Sequence, residues 1–391
     1  MLLVLAQVVM GAQAIPTLTH ADPIPGGGTL TELRVAQPIL FASAAPLGGR
    51  LRLHAMLDLE GATMPNGQLA TGVFGEGFND KRHPHTYAHE FIVSLVDPVR
   101  LPGLRWSLTA GKGFAPFGSD DPMNRPPLDY PVNHHWSQIL ERAVAIAGVR
   151  RGAFTLEAGL FNGDEPERPS QWPSWSRFGD SWSARMLVRP NAWLELQGSW
   201  AHVKSPEHRP GAGLTHDKAS VSARAERSLA AGDAYVMIEW AHDSEEGFFK
   251  YATALAEMQL VRGVHRGYLR VEHTDRPEET RLTVDEFRSV RPHSENSNLG
   301  ASRWNAVTGG YGLAPAISLP VRLEAIVEGS YLHVAKVGSG GVFDPITVWG
   351  RNDLWMASVA LRIQAGAGPH RMGRYGVAAG EAHHSPMTHG H

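Results

Sequence analysis

The sequence contains no cysteine. That single absence excludes disulfide staples, thiolate metal sites, c-type haem attachment and cysteine nucleophiles, and it suits an oxidising compartment. Charge is also scarce. Only 19% of the 391 residues are Asp, Glu, Lys or Arg, and the formal net charge is -3. No basic surface is on offer to hold a nucleic acid by counterion release. Long apolar runs are missing as well: nothing in the chain approaches the ~20 residues that a membrane-spanning helix needs. If the chain enters a membrane, it does so without helices. The first Lys or Arg is Arg34, so the apolar start "MLLVLAQVVMGAQAIPTLTH" has no basic flank, although Ala12-Gln13-Ala14 has the small-x-small form of a signal-peptidase site.

What is present is alternation. In "NAWLELQGSWAHV" (191–203), Leu194, Leu196, Gly198 and Trp200 share one face, and Glu195, Gln197 and Ser199 the other. "VRLEAIVEGSYLHV" (321–334), Leu354–Gln364 and "ASVSARAERS" (219–228) repeat the pattern. A period of two is the strand signal. The connections alternate too. Short Gly, Pro and Asn turns at 64–67, 149–153, 188–192, 229–233, 260–264 and 317–321 are hairpin-like. Long loops fall at 79–86, 114–137, 163–177, 204–215, 275–301 and 336–352.

Short turns alternating with long loops are what a transmembrane β-barrel requires, with periplasmic turns and extracellular loops. A soluble sandwich has no reason to sort its connections this way. In hydrocarbon every backbone polar group must pair internally, which a sheet achieves only by closing on itself. The predicted fold is therefore an all-β antiparallel transmembrane barrel of 14–16 strands over residues 30–365. Segment 31–42 is read as the first ascending strand, 50–60 as descending to the turn "MPNG" (64–67), and 68–78 and 302–315 as poorly alternating strands. Residues 1–14 read as a clipped signal peptide, 15–29 as an N-terminal periplasmic segment, and 366–391 as a His/Met-rich periplasmic tail.

The inward face carries both signs with an acidic excess. Arg52, Arg105, Arg224, Arg270, Glu157, Glu195, Glu226, Glu239, Glu272, Glu324 and Glu328 are predicted to line a pore, and Asp58, Glu60, Glu90 and Glu141 also point inward. Such charges either pair across neighbouring strands or face an aqueous channel, which a barrel of this size leaves open. The loop "FAPFGSDDPMNRPPLDYPVNHHW" (114–136) holds five prolines, which restrict it to an ordered shape. With Asp120, Asp121, Arg125 and Asp129 it is expected either to enter the lumen as a constriction or to cover the barrel mouth.

"GEGFNDKRHPHTYAHEF" (75–91), "GKGFAPFGSDDPM" (111–123), "NHHWSQILERA" (133–143) and "GLFNGDEPERP" (159–169) resemble segments of a set of porin-like outer-membrane barrels of diderm bacteria. "GKGFAPFG" is more loosely similar to phosphate-selective porin-type proteins. The resemblance implies an outer-membrane location, contact with outer-membrane lipid and a channel for passive diffusion of small hydrophilic solutes or ions. By analogy it also implies a homo-oligomer. It brings no catalytic or ligand residues. One departure is plain: such barrels end on an aromatic residue of the last strand, whereas here "AGAGPHRMGRYGVAAGEAHHSPMTHGH" follows.

Histidine clusters suggest a second reading. In "DKRHPHTYAHE" (80–90), His83, His85 and His89 could approach a metal with Asp80, or belong to a hydrogen-bonded loop. His89 and Glu90 should point to opposite sides of a strand unless a bulge intervenes. In the tail, His370, Met372, His383, His384, Met387, His389 and His391 combine imidazole and thioether, a donor set for Cu or Zn, or form a polar appendage. Apart from this, no cofactor is implied. "GDSWS" (179–183) lacks the context of a nucleophile elbow, and no set of Asp, His and Ser stands out, so no enzyme is predicted. Three functions remain in play: a channel, an outer-membrane metal-handling protein, and a structural or adhesive barrel without a pore.

Overall fold

The computed structural model describes residues 8–24, 27–63, 85–132, 134–166, 168–204, 213–279 and 298–379. Among them sixteen antiparallel strands form one closed barrel. They are β1 (Val8–Asp22), β2 (Leu30–Ala44), β3 (Leu51–Asp58), β4 (Ala88–Val96), β5 (Arg105–Gly113), β6 (Arg142–Arg151), β7 (Phe154–Phe161) and β8 (Ser181–Asn191). There follow β9 (Leu194–Lys204), β10 (Thr215–Leu229), β11 (Gly232–Glu245), β12 (Phe249–Arg262), β13 (His265–Glu279), β14 (Asn298–Leu313), β15 (Val321–Val337) and β16 (Asp353–Gly366). Each pairs with its predecessor, and β1 closes the ring on β16 through pairs such as Leu18↔Val359.

The alternation decides which side is which. In β11, Ile238 is 55% exposed on the outer wall, while its neighbour Glu239 is 4% exposed inside. β7 turns Leu156 and Leu160 outward and Thr155 and Glu157 inward. A water-soluble sandwich would bury the leucines and expose the glutamates. Here the solvent outside must be hydrocarbon, and the barrel spans a membrane. Exposed Trp182, Trp200, Trp240 and Trp355 sit toward one end of the wall, with Phe154, Trp193 and Tyr311 at the other. Amphipathic rings at both rims are the girdles expected at the two interfaces.

Sorting of the connections holds. Turns 45–50, 97–104, 152–153, 192–193, 230–231, 263–264 and 314–320 lie at one end. Connections 114–141, 162–180 and 338–352 lie at the other, with the strand ends that flank 59–87 and 280–297 and one short exception, the turn 246–248. Assignment of the first strands differs from expectation. Residues 8–22, expected to be a leader up to Ala14 and then part of a periplasmic segment, form wall strand β1. Small residues on both faces between Met10 and Leu18, and a register shift between Gln13 and Ile15, hide its alternation. "MPNG" (64–67), expected as a hairpin turn, lies outside the described residues, and β3 pairs directly with β4 (Met56↔Glu90). β3 therefore runs toward the long loops, opposite to the direction read from the sequence. The strand expected over 68–78 lies outside the described residues, while 302–315 falls largely in β14.

Candidate functional site

The interior is occupied by two segments that leave the wall and turn inward. The first is the proline-rich connection 114–141 between β5 and β6. Its two legs meet at Gly118, where φ is +65° and an added Cβ would lie 1.6 Å from the Ser137 carbonyl oxygen. Glycine is needed at such a contact. Asp121 accepts from Met123 N at 2.8 Å and starts a short 3-10 turn, Pro122–Asn124.

The loop's backbone is satisfied by the wall. Glu328 of β15 accepts from Leu128 N at 2.7 Å and Asp129 N at 2.8 Å, and Glu272 of β13 from Val132 N at 2.9 Å. Ser199 of β9 accepts from Gly118 N at 2.9 Å. Arg270 donates to the carbonyls of Asp129 at 2.7 Å and Tyr130 at 2.9 Å. Trp136 stacks on Tyr251 with centroids 5.6 Å apart. The loop thus reaches from β5 across to β15, and its buried amides account for two of the wall's glutamates, Glu272 and Glu328.

The second segment is the C-terminal tail. The expected free periplasmic tail is corrected for residues 367–379, which fold back into the bore and are mostly buried. Val377 N donates to Ser107 Oγ at 3.0 Å. The carbonyls of Gly373, Gly376 and Ala378 accept from Arg185 at 2.7 Å, Arg52 at 3.1 Å and Arg189 at 2.9 Å. Tyr375 donates to Glu90 and accepts from Phe114 N at 3.1 Å, which ties tail to loop. Residues 380–391, with His383, His384, Met387, His389 and His391, lie outside the described residues, as do His83 and Asp80.

Charges knit the two inserts together. Asp120 lies 2.9 Å from Arg224 and 2.6 Å from Arg371, and Arg371 also reaches Glu195 at 2.9 Å. Burial would raise the Asp120 pKa, but Arg224, Arg371 and Arg374 hold it below the ordinary carboxylate value. Arg125 lies 3.2 Å from Glu239 and 3.6 Å from Glu257. Asp129 is pushed up to about 7 by burial, with Arg270 opposing and Glu328 adding to the rise. All four loop residues singled out in the sequence are therefore buried in the bore.

The predicted pore-lining residues mostly serve these inserts or neighbouring strands. Glu157 pairs with Arg185 at 2.7 Å, Arg270 with Glu272 at 3.2 Å, and Arg224 with Glu226. Glu324 lies between Arg266 at 2.5 Å and Arg362 at 2.9 Å. Arg105 is at the short-turn rim, bridged to Asp97 at 2.9 Å and half in solvent.

Near the start of β4 the wall carries a bulge: Met56 faces Glu90 and Leu57 faces Ala88, leaving His89 as the extra residue. His89 and Glu90 are consequently both buried on the inner side. His89 Nδ1 lies 2.7 Å from Glu141 Oε1. His85 Nδ1 lies 3.2 Å from Asp58 Oδ2 and 3.3 Å from Glu60 Oε2, Glu60 belonging to the short helix α1 (Glu60–Thr63). Burial and the neighbouring Asp58 push Glu60 up to about 8. Burial would raise Glu141, but Lys112 and His89 bring it down to about 2.

No protein-family model matches the sequence, and no curated protein matches it by sequence. Solved structures do match in shape. An anion-selective porin from Comamonas acidovorans aligns with a TM-score of 0.52 at 12% identity, covering 92% of this chain and 99% of that one. OmpT, an outer-membrane protein of Vibrio cholerae, aligns in a form lacking loop L8 with a TM-score of 0.51 at 10% identity, again over 92% and 99%. The chain has the fold of an outer-membrane porin. At such identities the likeness speaks for the fold alone.

Within this porin-like barrel, the feature that sequence reading missed is the tail. Arg371, Arg374 and Tyr375 lie beyond the last alternating strand, and the signal for them was the basic and aromatic content of "PHRMGRYG". β16 ends on Gly366, and the aromatic residue expected at the barrel's terminus is represented only by Tyr375, turned inside.

Proposed function

We propose that the protein is an outer-membrane channel for passive diffusion of small hydrophilic solutes or ions, a conduit and not an enzyme. In this reading the loop 114–141 sets the constriction and the tail 367–379 is a second obstruction on the short-turn side. The observation that carries it is the inner face: charged and hydrogen-bonding side chains follow the whole ring of strands, while the outer face is apolar. Buried carboxylates are costly to desolvate, and here loop amides and the arginines of wall and inserts offset that cost. Acidic excess on the strands favours cations weakly over anions. Self-association is proposed by analogy with OmpT, whose in-vitro folded structure is a trimer form; cross-linking in detergent checks it. The channel itself is tested by bilayer conductance of the refolded protein in asymmetric salt, with and without residues 119–129. Deletion should raise single-channel conductance. If neither protein conducts, the reading fails; equal conductance would remove the loop's role.

A further inference from the structure

We propose that Asp58, His85 and His89, with Glu60 beside them, form a buried site for one divalent transition-metal ion of the zinc class, set in the wall at the base of the inserted loop. One ligand atom from each of Asp58, His85 and His89 lies within 4.8 Å of the others, and all three side chains are buried. Glu60 Oε2, 3.3 Å from His85 Nδ1, adds a second carboxylate. Two imidazoles with one or two carboxylates are a donor set that zinc accepts.

His89 is held as a ligand would be. Its Nδ1 is fixed by Glu141 at 2.7 Å, and its Nε2 is buried with no hydrogen-bond partner among the described residues. A ring nitrogen sealed from water without a partner costs about 1–3 kcal/mol. A carboxylate on the other nitrogen is the usual outer support of a metal-bound histidine. The bulge at His89 exists at the cost of ladder pairing, and its effect is to turn this ring inward. His85 lies in the loop before β4, and a small cavity lined by His85, His135, Glu141, Arg142 and Glu165 adjoins it. Tetrahedral zinc places its ligand atoms ~3.4 Å apart, and His85 Nδ1 and Asp58 Oδ2 already lie 3.2 Å from each other.

The other cluster of this kind among the described residues, His216, Asp243 and Glu245, has one imidazole in place of two and sits in strands of regular register. Lys218 Nζ lies 3.7 Å from Asp243 Oδ2 and already supplies a cation there.

A bound ion would join β3, α1, the start of β4 and, through Glu141, the returning leg of the inserted loop. The proposal does not depend on conduction. Its test uses the full chain, folded in detergent, stripped with chelator and titrated with Co(II) and Zn(II). In the tested protein His383, His384, His389 and His391 are changed to Ala, so that the tail does not compete. One equivalent of Co(II) should bind with the visible absorption of a four- or five-coordinate N/O site. Glu141→Gln should weaken binding ~10–100-fold, as loss of outer support does elsewhere. His85→Gln, outside the strands, should abolish the absorption while heat-modifiable gel mobility reports a folded barrel. Absence of Co(II) and Zn(II) binding, or binding that survives His85→Gln and His89→Gln unchanged, would overturn the proposal.

Discussion

Replacing Arg371 by alanine tests whether charge holds the tail in the bore. Its guanidinium bridges Asp120 at 2.6 Å and Glu195 at 2.9 Å. Removing one partner of a buried pair costs ~3–5 kcal/mol when the other charge is left alone. Neither carboxylate is left alone here. Asp120 keeps Arg224 at 2.9 Å, and Glu195 keeps Arg189 at 2.6 Å and Arg374 at 3.4 Å. The cost should therefore fall to about 2 kcal/mol, which shifts the ratio of docked to undocked tail about 30-fold. Chymotrypsin cleavage after Tyr375 reads that ratio, because this residue is 2% exposed and is reached only when the tail leaves. With closing fast relative to cleavage, the initial rate tracks the open population and should rise about 30-fold. Arg371→Lys, which keeps the charge but not the two-pronged contact, should fall between the two. Mass spectrometry of the released C-terminal fragment gives the rate. Equal rates in wild type and Arg371→Ala would refute an electrostatic anchor.

Acidity offers a second handle. Asp129 is raised from 3.8 to about 7, so its contribution to loop docking is fully present below the ordinary carboxylate value, weakens as the proton is lost, and is gone above about pH 7. Conductance should accordingly climb between about pH 4 and about pH 7, and Asp129→Asn should flatten that climb; a flat wild-type profile sinks the assignment. Gly118→Ala should expel the loop, since the new Cβ would sit 1.6 Å from the Ser137 carbonyl oxygen. Larger unitary currents from a barrel of unchanged heat-modifiability are the expected result. Ile238→Arg puts a cation on the lipid-facing wall and should destabilise the barrel by about 2–4 kcal/mol in urea titrations from vesicles. Unchanged stability would mean that this face does not meet hydrocarbon.

Strands such as β9, β10, β15 and β16 could be read from residues alone because the two solvents they face differ sharply, which forces a period of two. β1 could not. Small side chains such as Ala12 and Ala14 satisfy both solvents and leave no contrast to detect. The bulge at His89 is equally silent in one dimension, since it is defined by a register between Met56 and Glu90 that only pairing reveals. That the loop would be ordered followed from its prolines; which wall carboxylates would receive its amides did not. The tail was the hardest case. Arg371 meets Asp120 across 251 residues of chain, and no local pattern encodes a contact of that span.

The inserts also set the barrel's electrical character. Arg125, Arg371 and Arg374 are the cations that face Glu239, Glu257, Glu195 and Asp120. Of these, only the strand glutamates would stay behind if loop and tail swung out together. Glu195 would keep Arg189 at 2.6 Å and Glu257 would keep Arg270 at 3.7 Å, both from the wall, so of the three Glu239 is the one that loses its cation, and widening the passage would bare a negative charge at that one point of the ring.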